Sequence, residues 1–286
     1  MKPGDLPQPE QQAAPPAGSR LRPVLRTGAQ MPGREETDLI AQEVAVALEY
    51  NGISHATLLA TPHDLEDFAF GFSYTEGIIR SASDIYGVDI VEGSQGFIVQ
   101  IDMASACQNQ LKLRRRSLAG RSGCGLCGIE SLDEVRRKLP ALPAPQNAFS
   151  TQAISRAIDQ LRSLQPLHLA TGATHAAGWA DRDGNIQYVR EDVGRHNALD
   201  KLIGHLVRCP VDPAQGIAVI SSRASFEMVQ KAAAAGIPAL VAVSAPTSYA
   251  VQLADELNIL LAGFARSALF TVYSHPEYLS TPGSSP

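Results

Sequence analysis

Three short apolar runs are spaced through the second half of the chain by helical stretches. They are GIAVIS (216–221), ALVAVS (239–244) and NILLAGFA (258–265). The first spacer ends at Gly236, just before Pro238, and the second opens at Pro246. Strands and helices alternating at this length predict right-handed βαβ units and a largely parallel sheet covered on both faces. The flanks extend the pattern. A helix is expected over STQAISRAIDQLRSL (150–164), then a hairpin over HAAGWADRDGNIQYVRED (175–192) turning at Asp183-Gly184. A helix carrying Leu199, Leu202, Ile203 and Leu206 at helical spacing follows, and the strand ALFTVYS (268–274) comes last.

The first half reads differently. The runs LIAQEVAVALEY (39–50) and ISHATLLAT (53–61) flank Asn51-Gly52, the preferred pair for a tight hairpin turn. Thr61-Pro62-His63-Asp64 is expected to open a helix, with Thr61 as N-cap and Pro62 at the first helical position. That helix carries Leu65, Phe68, Ala69 and Phe72 on one face and ends near Gly77. Two more strands are expected at IYGVDIVEG (85–93) and GFIVQIDM (96–103). A hydrophilic stretch, QNQLKLRRRSLAGR (108–121), leads to a glycine-laced cysteine pair, and Ser131-Leu132-Asp133-Glu134 matches a capping box. Proline-rich LPALPAPQ (139–146) marks a linker. The expected organisation is therefore a disordered tail over 1–34, a smaller N-terminal α+β domain over 35–145 bearing the cysteine loop, a C-terminal αβα domain over 146–279, and a tail over 280–286. The two tails are rich in Pro, Gln, Ala, Gly or Ser and hold too little apolar area to offset the entropy of ordering.

Charge and hydropathy limit the function classes. A formal net charge of −5 argues against general nucleic-acid binding. A mean hydropathy of −0.05 and the lack of a long apolar run argue against a membrane span. The first twenty residues have no apolar core of a signal peptide, and four unevenly spread cysteines (Cys107, Cys124, Cys127, Cys209) do not make a secreted disulfide framework. The expectation is a cytoplasmic protein with reduced thiols.

In a doubly covered sheet, ligands bind at the carboxyl ends of parallel strands, where helix N-termini gather. Two junctions suit an anion there: Ser221-Ser222-Arg223-Ala224-Ser225 and Ser244-Ala245-Pro246-Thr247-Ser248. Gly194-Arg195-His196-Asn197 forms a third, basic turn. Hydroxyls and free backbone N–H groups at a positive helix end hold phosphate, although each junction alone is also explained by plain N-capping. Beside them, His196 and Asp200 stand four apart on one helix face, a spacing that suits a structural hydrogen bond. His175, in a loop with nearby glycine, is a candidate for ligand contact. Trp179, the one tryptophan, is expected to pack in the hairpin core.

The cysteine pair in SGCGLCG (122–128) has several readings. A structural zinc site wants four ligands, and no second C-x-x-C exists. A deaminase zinc site wants H-x-E ahead of P-C-x-x-C, whereas the H-x-E here, His275-Pro276-Glu277, comes after the cysteines, and Gly123 stands where proline is needed. A thioredoxin-like couple sits at a helix N-terminus after a strand, not in a glycine loop. Nucleophilic sulfur chemistry needs a thiolate, which Arg114, Arg115, Arg116 and Arg121 favour by charge. A pair of inert loop residues beside a solvated basic face stays open as the plainer reading.

Longer motifs add to this. ATPHDLEDFAFGFSYTEGII, GRSGCGLCG, TGATHAAGWAD, EDVGRHNALDKLIG, SSRASFEMVQKAAAAGIPALVAVSAPTS and GFARSALFTVYSHPE occur in this order between Glu36 and Tyr278. On these segments the chain closely resembles the formate dehydrogenase accessory sulfurtransferases, the FdhD family. The resemblance implies a sulfur carrier that takes persulfide sulfur from a cysteine desulfurase. It passes that sulfur to the bis(molybdopterin guanine dinucleotide) molybdenum cofactor before insertion into formate dehydrogenase. By motif position Cys124 matches the family's persulfide cysteine and Cys127 its second cysteine. The segment Phe264, Ala265, Arg266, Ser267, Ala268 and Leu269 matches the cofactor-binding segment, to which the strand-end argument adds Ser222 and Arg223. The resemblance also implies a C-terminal domain like cytidine deaminase without its zinc ligands, and a homodimer. Ligand count predicts no bound metal, and the strand-end argument predicts that GDP binds as a mimic of the cofactor's end. The runner-up is a chaperone that binds and delivers the cofactor without handling sulfur. Cys127 is suited to attack the inner sulfur of a Cys124 persulfide and expel the outer one. The chain departs from the family pattern at Ala173, where many members have glycine, and at Ser267-Ala268-Leu269, where Gly, Asp or Arg are common.

Overall fold

The computed structural model describes residues 14–118, 137–266 and 269–280. The described chain begins with an antiparallel ribbon of β1 (Ser19–Gly28) and β2 (Met31–Ala41). This corrects the expectation of disorder to residue 34. The ribbon is largely exposed and held by cross-strand ion pairs, Arg26 to Glu36 at 2.8 Å and Arg26 to Asp38 at 3.5 Å. Its charged, proline-broken sequence carries no apolar alternation that would announce it.

A four-stranded sheet follows, built from β3 (Val44–Tyr50), β4 (Ile53–Ala60), β5 (Ile85–Gly93) and β6 (Gly96–Met103) in the order β4-β3-β6-β5. The β3–β4 hairpin turns at Asn51 and Gly52, both with left-handed φ (46° and 76°), which is why this dipeptide was legible. The expected single strand over 39–50 is split instead. Gln42 leaves the ladder and its N–H bonds the Gly18 carbonyl at 2.7 Å. One face of the sheet packs on α1 (Leu65–Thr75), through Val46, Leu48, Tyr50, Val99 and Ile101 against Phe68 and Ala69. Helix α2 (Ser105–Leu118) takes in the hydrophilic stretch as far as Leu118 and anchors Cys107 and Leu111 in the same core.

The second unit contains β7 (Phe149–Ser150), α3 (Thr151–Ser163), α4 (Pro166–Thr171), β8 (His175–Ala180), β9 (Ile186–Asp192), α5 (Arg195–Arg208), β10 (Ile217–Ile220), α6 (Phe226–Ala234), β11 (Ala239–Ala242), α7 (Ser248–Glu256), β12 (Leu260–Arg266), β13 (Leu269–Ser274) and β14 (Leu279–Ser280). Six strands form one sheet in the order β13-β12-β11-β10-β8-β9. Only β10–β11 and β11–β12 are parallel; β8–β9, β8–β10 and β12–β13 are antiparallel. The expected largely parallel sheet is therefore a mixed one, because hairpins, not crossovers, add the strands on both sides of the βαβαβ centre. Alternate residues of its strands pack on α5, α6 and α7 on one face and on α3 on the other.

The units meet where α1 crosses α5. A Cβ at Gly71 would strike the Asp200 carbonyl and one at Gly204 would strike the Asp67 carbonyl, so the helix backbones touch directly. Charges ring this crossing. Asp67 pairs with Arg190 and Arg208, each at 2.7 Å, and Lys231 bonds both Asp200 oxygens at 2.9 and 3.0 Å. Thr61, expected as an N-cap, is instead buried in this seam. It donates N–H and Oγ1–H to Asp192, and the helix starts later, at Leu65, after Asp64 takes a left-handed φ of 53°. The proline-rich linker lies along the second unit, where the Leu142 N–H bonds the Leu257 carbonyl at 3.0 Å.

Candidate functional site

The parallel strands β10, β11 and β12 end together, and Ser221, Val243, Ala265 and Arg266 at their carboxyl ends line a cleft of about 810 Å³. Because β8 runs antiparallel to β10, its first residue, His175, arrives at the same edge. The backbone N–H of Ala176 bonds Ser221 Oγ at 2.9 Å, and the hydroxyl lies 3.5 Å from His175 Nδ1. Burial lowers the His175 pKa, with the charge of Arg195 adding to the effect, so the imidazole is neutral at pH 7.

The opposite wall comes from α3, α4 and the loop to β8, with Asp159, Arg162, Gln165, His168, Ala173 and Thr174 among its lining. Buried Glu191 fixes this wall. Its carboxylate accepts the N–H groups of Leu167 (2.9 Å) and His168 (2.7 Å) and the hydroxyl of Thr174 (3.1 Å). His168 Nδ1–H donates to the Thr174 carbonyl at 2.8 Å, which fixes the ring against the loop. Gly172 ends α4 with φ 67°, a turn that glycine makes without strain.

The two serine junctions stand side by side, as expected. Thr247 N–H bonds the Ala224 carbonyl at 3.0 Å, and Val243 N–H bonds the Ile220 carbonyl at 2.9 Å. Capping explains part of the second, since Thr247 Oγ1 accepts from Ala250 N–H at 3.3 Å. Beside the second junction β12 bulges. Phe264 takes a left-handed φ of 52°, donates its N–H to the Ser244 carbonyl at 3.1 Å, and leaves its ring half-exposed. A bulge re-aims side chains at a sheet edge, and here it precedes Ala265 and Arg266.

Of the residues expected at the site, Ala265 and Arg266 line the cleft. Phe264 is exposed two residues before Arg266 and Leu269 is exposed opposite it across β12–β13, and neither these two nor Ser222 and Arg223 line the cleft. The Ser222 hydroxyl donates to the Arg223 carbonyl, and the Arg223 side chain is exposed. Cys124, Cys127, Ser267, Ala268 and the Ser131–Glu134 capping box lie outside the described residues. His196 pairs with Glu227 at 2.6 Å, not with Asp200, whose oxygens are taken by Lys231 and Thr75. Helical spacing allowed the His196–Asp200 pair, but a buried lysine outcompetes it. Trp179 is buried, with its indole N–H donating to the Pro213 carbonyl at 3.4 Å. The α3–α4 wall was missed by sequence reasoning. Its one available signal was the polar edge Asp159, Arg162 and Gln165 at helical spacing beside apolar Ile158 and Leu161.

Among the described residues no group of three His, Cys, Asp or Glu could hold a metal ion, and no helix is long and apolar enough to cross a membrane. A model of the FdhD/NarQ family matches residues 41–280. The chain belongs to the FdhD/NarQ family. Relatives extend the match. A protein of Bordetella petrii named "Sulfur carrier protein FdhD" is 55% identical over 244 residues, covering 85% of this chain and 87% of that protein. One of the same name from Variovorax paradoxus is 50% identical over 265 residues, covering 93% and 95%. A crystal structure from Desulfotalea psychrophila, of a protein named for an accessory role to formate dehydrogenase, superposes with a TM-score of 0.70 at 22% identity. It covers 92% of this chain and 99% of its own, and the likeness is one of fold. The family match thus takes in both walls of the cleft but omits β1 and almost all of β2.

Proposed function

We propose that this chain is a sulfur carrier in formate dehydrogenase maturation. It receives persulfide sulfur on Cys124 from a cysteine desulfurase and passes it to the bis(molybdopterin guanine dinucleotide) cofactor, which is its cargo. The carrying observation is the cleft at the ends of β10–β12, in a chain whose relatives over 85% of its length bear the sulfur-carrier name. About 810 Å³ is within the range of small-molecule sites, and Arg266, Ser221 and neutral His175 suit a nucleotide phosphate and sugar. The cargo has two nucleotide ends and this cleft would take one of them, an economy that supports a homodimer; the expected place of work is the cytoplasm. The αβα unit is read as a deaminase-like frame without zinc, in keeping with His196 and Glu227 pairing with each other where α5 and α6 begin.

The choice of Cys124 rests on its match to the family's persulfide cysteine, and the surroundings of Cys107 and Cys209 agree with it. Cys107 is buried in the first core, and Cys209 lies 3.5 Å from His205 Nε2 at the end of α5, on the α1 seam. Transfer exchanges one sulfur: the Cys124 thiolate attacks the outer sulfur of the desulfurase persulfide, and the desulfurase thiolate leaves. Intact mass of the full chain, incubated with a desulfurase and cysteine, should rise by about 32 Da for one added sulfur. Cys124→Ala should abolish the gain, with Cys107 and Cys209 still present. A gain that persists in Cys124→Ala, or no gain in the parent chain, overturns the carrier reading.

A further inference from the structure

We propose that Asp159 reads the base of the bound nucleotide and selects guanine. The inference rests on the reading that the cleft takes a nucleotide end of the cargo, and it names the residue that chooses the base. The cleft is bounded by two guanidinium groups, Arg162 of α3 and Arg266 of β12, and among the described residues its lining holds one carboxylate, Asp159. A phosphate satisfies the arginines and is repelled by the carboxylate. Asp159 therefore faces a part of the ligand that carries hydrogen-bond donors. It is exposed and makes no hydrogen bond among the described residues, so both oxygens are free to accept.

Purine edges differ in what they offer. Guanine presents N1–H and the N2 amino group side by side, two parallel donors that fit the two oxygens of a carboxylate. Adenine presents one amino donor beside the N1 lone pair, which a carboxylate repels. Ile158 and Leu169, also in the lining, offer apolar surface for the ring. The choice of base is thus made by α3, apart from the strand ends that hold the charge.

Calorimetry on the full chain with GDP, IDP, ADP and XDP tests this. GDP should bind about tenfold or more tighter than ADP, and IDP, which lacks the amino group, should fall between them. Asp159→Asn should lose about tenfold or more for GDP and gain affinity for XDP, because an amide accepts from N1–H while donating to the O2 of xanthine. The melting temperature should not change, since the side chain is exposed. If the parent chain binds none of the four, the nucleotide reading of the cleft fails and this proposal with it. If GDP binds but Asp159→Asn keeps the same base preference and gains nothing for XDP, Asp159 is not the selector, while the cleft reading stands.

Discussion

Replacing Lys201 with Met should cost this protein much of its stability without touching the cleft. The Lys201 and Asp192 side chains are both fully buried and meet at 2.6 Å. The ammonium spends its three donors on Asp192 Oδ2, Thr61 Oγ1 (2.8 Å) and the Thr61 carbonyl (3.1 Å). Methionine keeps the length and loses the charge. Asp192 then retains four neutral donors, from Thr61 N–H, Thr61 Oγ1, Gly194 N–H and Asn197 Nδ2, but no countercharge. Breaking a buried pair from one side costs about 3–5 kcal/mol, and the surviving hydrogen bonds place this case near about 3 kcal/mol. For a chain of this size that is a fall of roughly 6–12 °C in melting temperature. Urea unfolding of Lys201→Met, Asp192→Asn and the double variant should show coupling of about 2 kcal/mol or more. Additive effects, or a loss under about 1 kcal/mol in Lys201→Met, would refute the reasoning.

Gly204→Ala should destabilise by about 3 kcal/mol or more, read by urea melts, because the new methyl meets the Asp67 carbonyl across the α1–α5 crossing. An alanine tolerated there within about 0.5 kcal/mol means that the helix backbones do not touch. Acid should weaken the fold. Burial, with Lys201, Arg195 and Arg190 respectively, lowers the pKa of His63, His175 and His205 below 6.5. The unfolded chain then binds more protons than the folded one as pH drops through 6.5. Melting temperature should therefore fall from about pH 7.5 to about pH 5.5, and a flat profile over that range would contradict the burial of these rings.

Elements with strong local signals were legible in the sequence. The Asn51-Gly52 hairpin, the Leu199–Leu206 face of α5 and the strands at 217–220, 239–242 and 260–266 each follow from turn chemistry or apolar period. What failed were choices between partners. Thr61 carried an N-cap signature, yet its hydroxyl serves Asp192, 131 residues away in sequence. Strand direction failed for the same reason, since a run such as Ala176–Ala180 is equally apolar whether its neighbour is parallel or antiparallel. The site divides along this line. Ser221 was legible because strand ends in an α/β sheet are where ligands sit, and Arg266 through the resemblance of its segment. Asp159 and Glu191 were not, because one resembles any helix-surface acid and the other any strand acid until the tertiary fold brings donors to it.

The seam between the units shows why long-range polar pairing, although hard to read, governs the arrangement of the molecule. Two apolar helix faces tolerate a slip of one turn, about 5.4 Å, by exchanging one leucine for another. The α1–α5 crossing does not. A slip would carry Gly71 away from the Asp200 carbonyl, put side chains where only glycine fits, and part Asp67 from Arg190 and Arg208. Burial tends to strip the charge from Lys231, but Asp200 and Glu76 hold its pKa above the ordinary lysine value, so that pair also has one workable register. Arg137, the first described residue after the stretch that bears Cys124 and Cys127, belongs to this seam. Its N–H bonds Gln230 of α6 at 2.7 Å, and its guanidinium donates to the Tyr74 and Thr75 carbonyls at the end of α1. The cysteine-bearing stretch therefore returns to a point fixed by both units at once, so a change that loosens the seam shifts that anchor relative to the cleft without altering a residue of either.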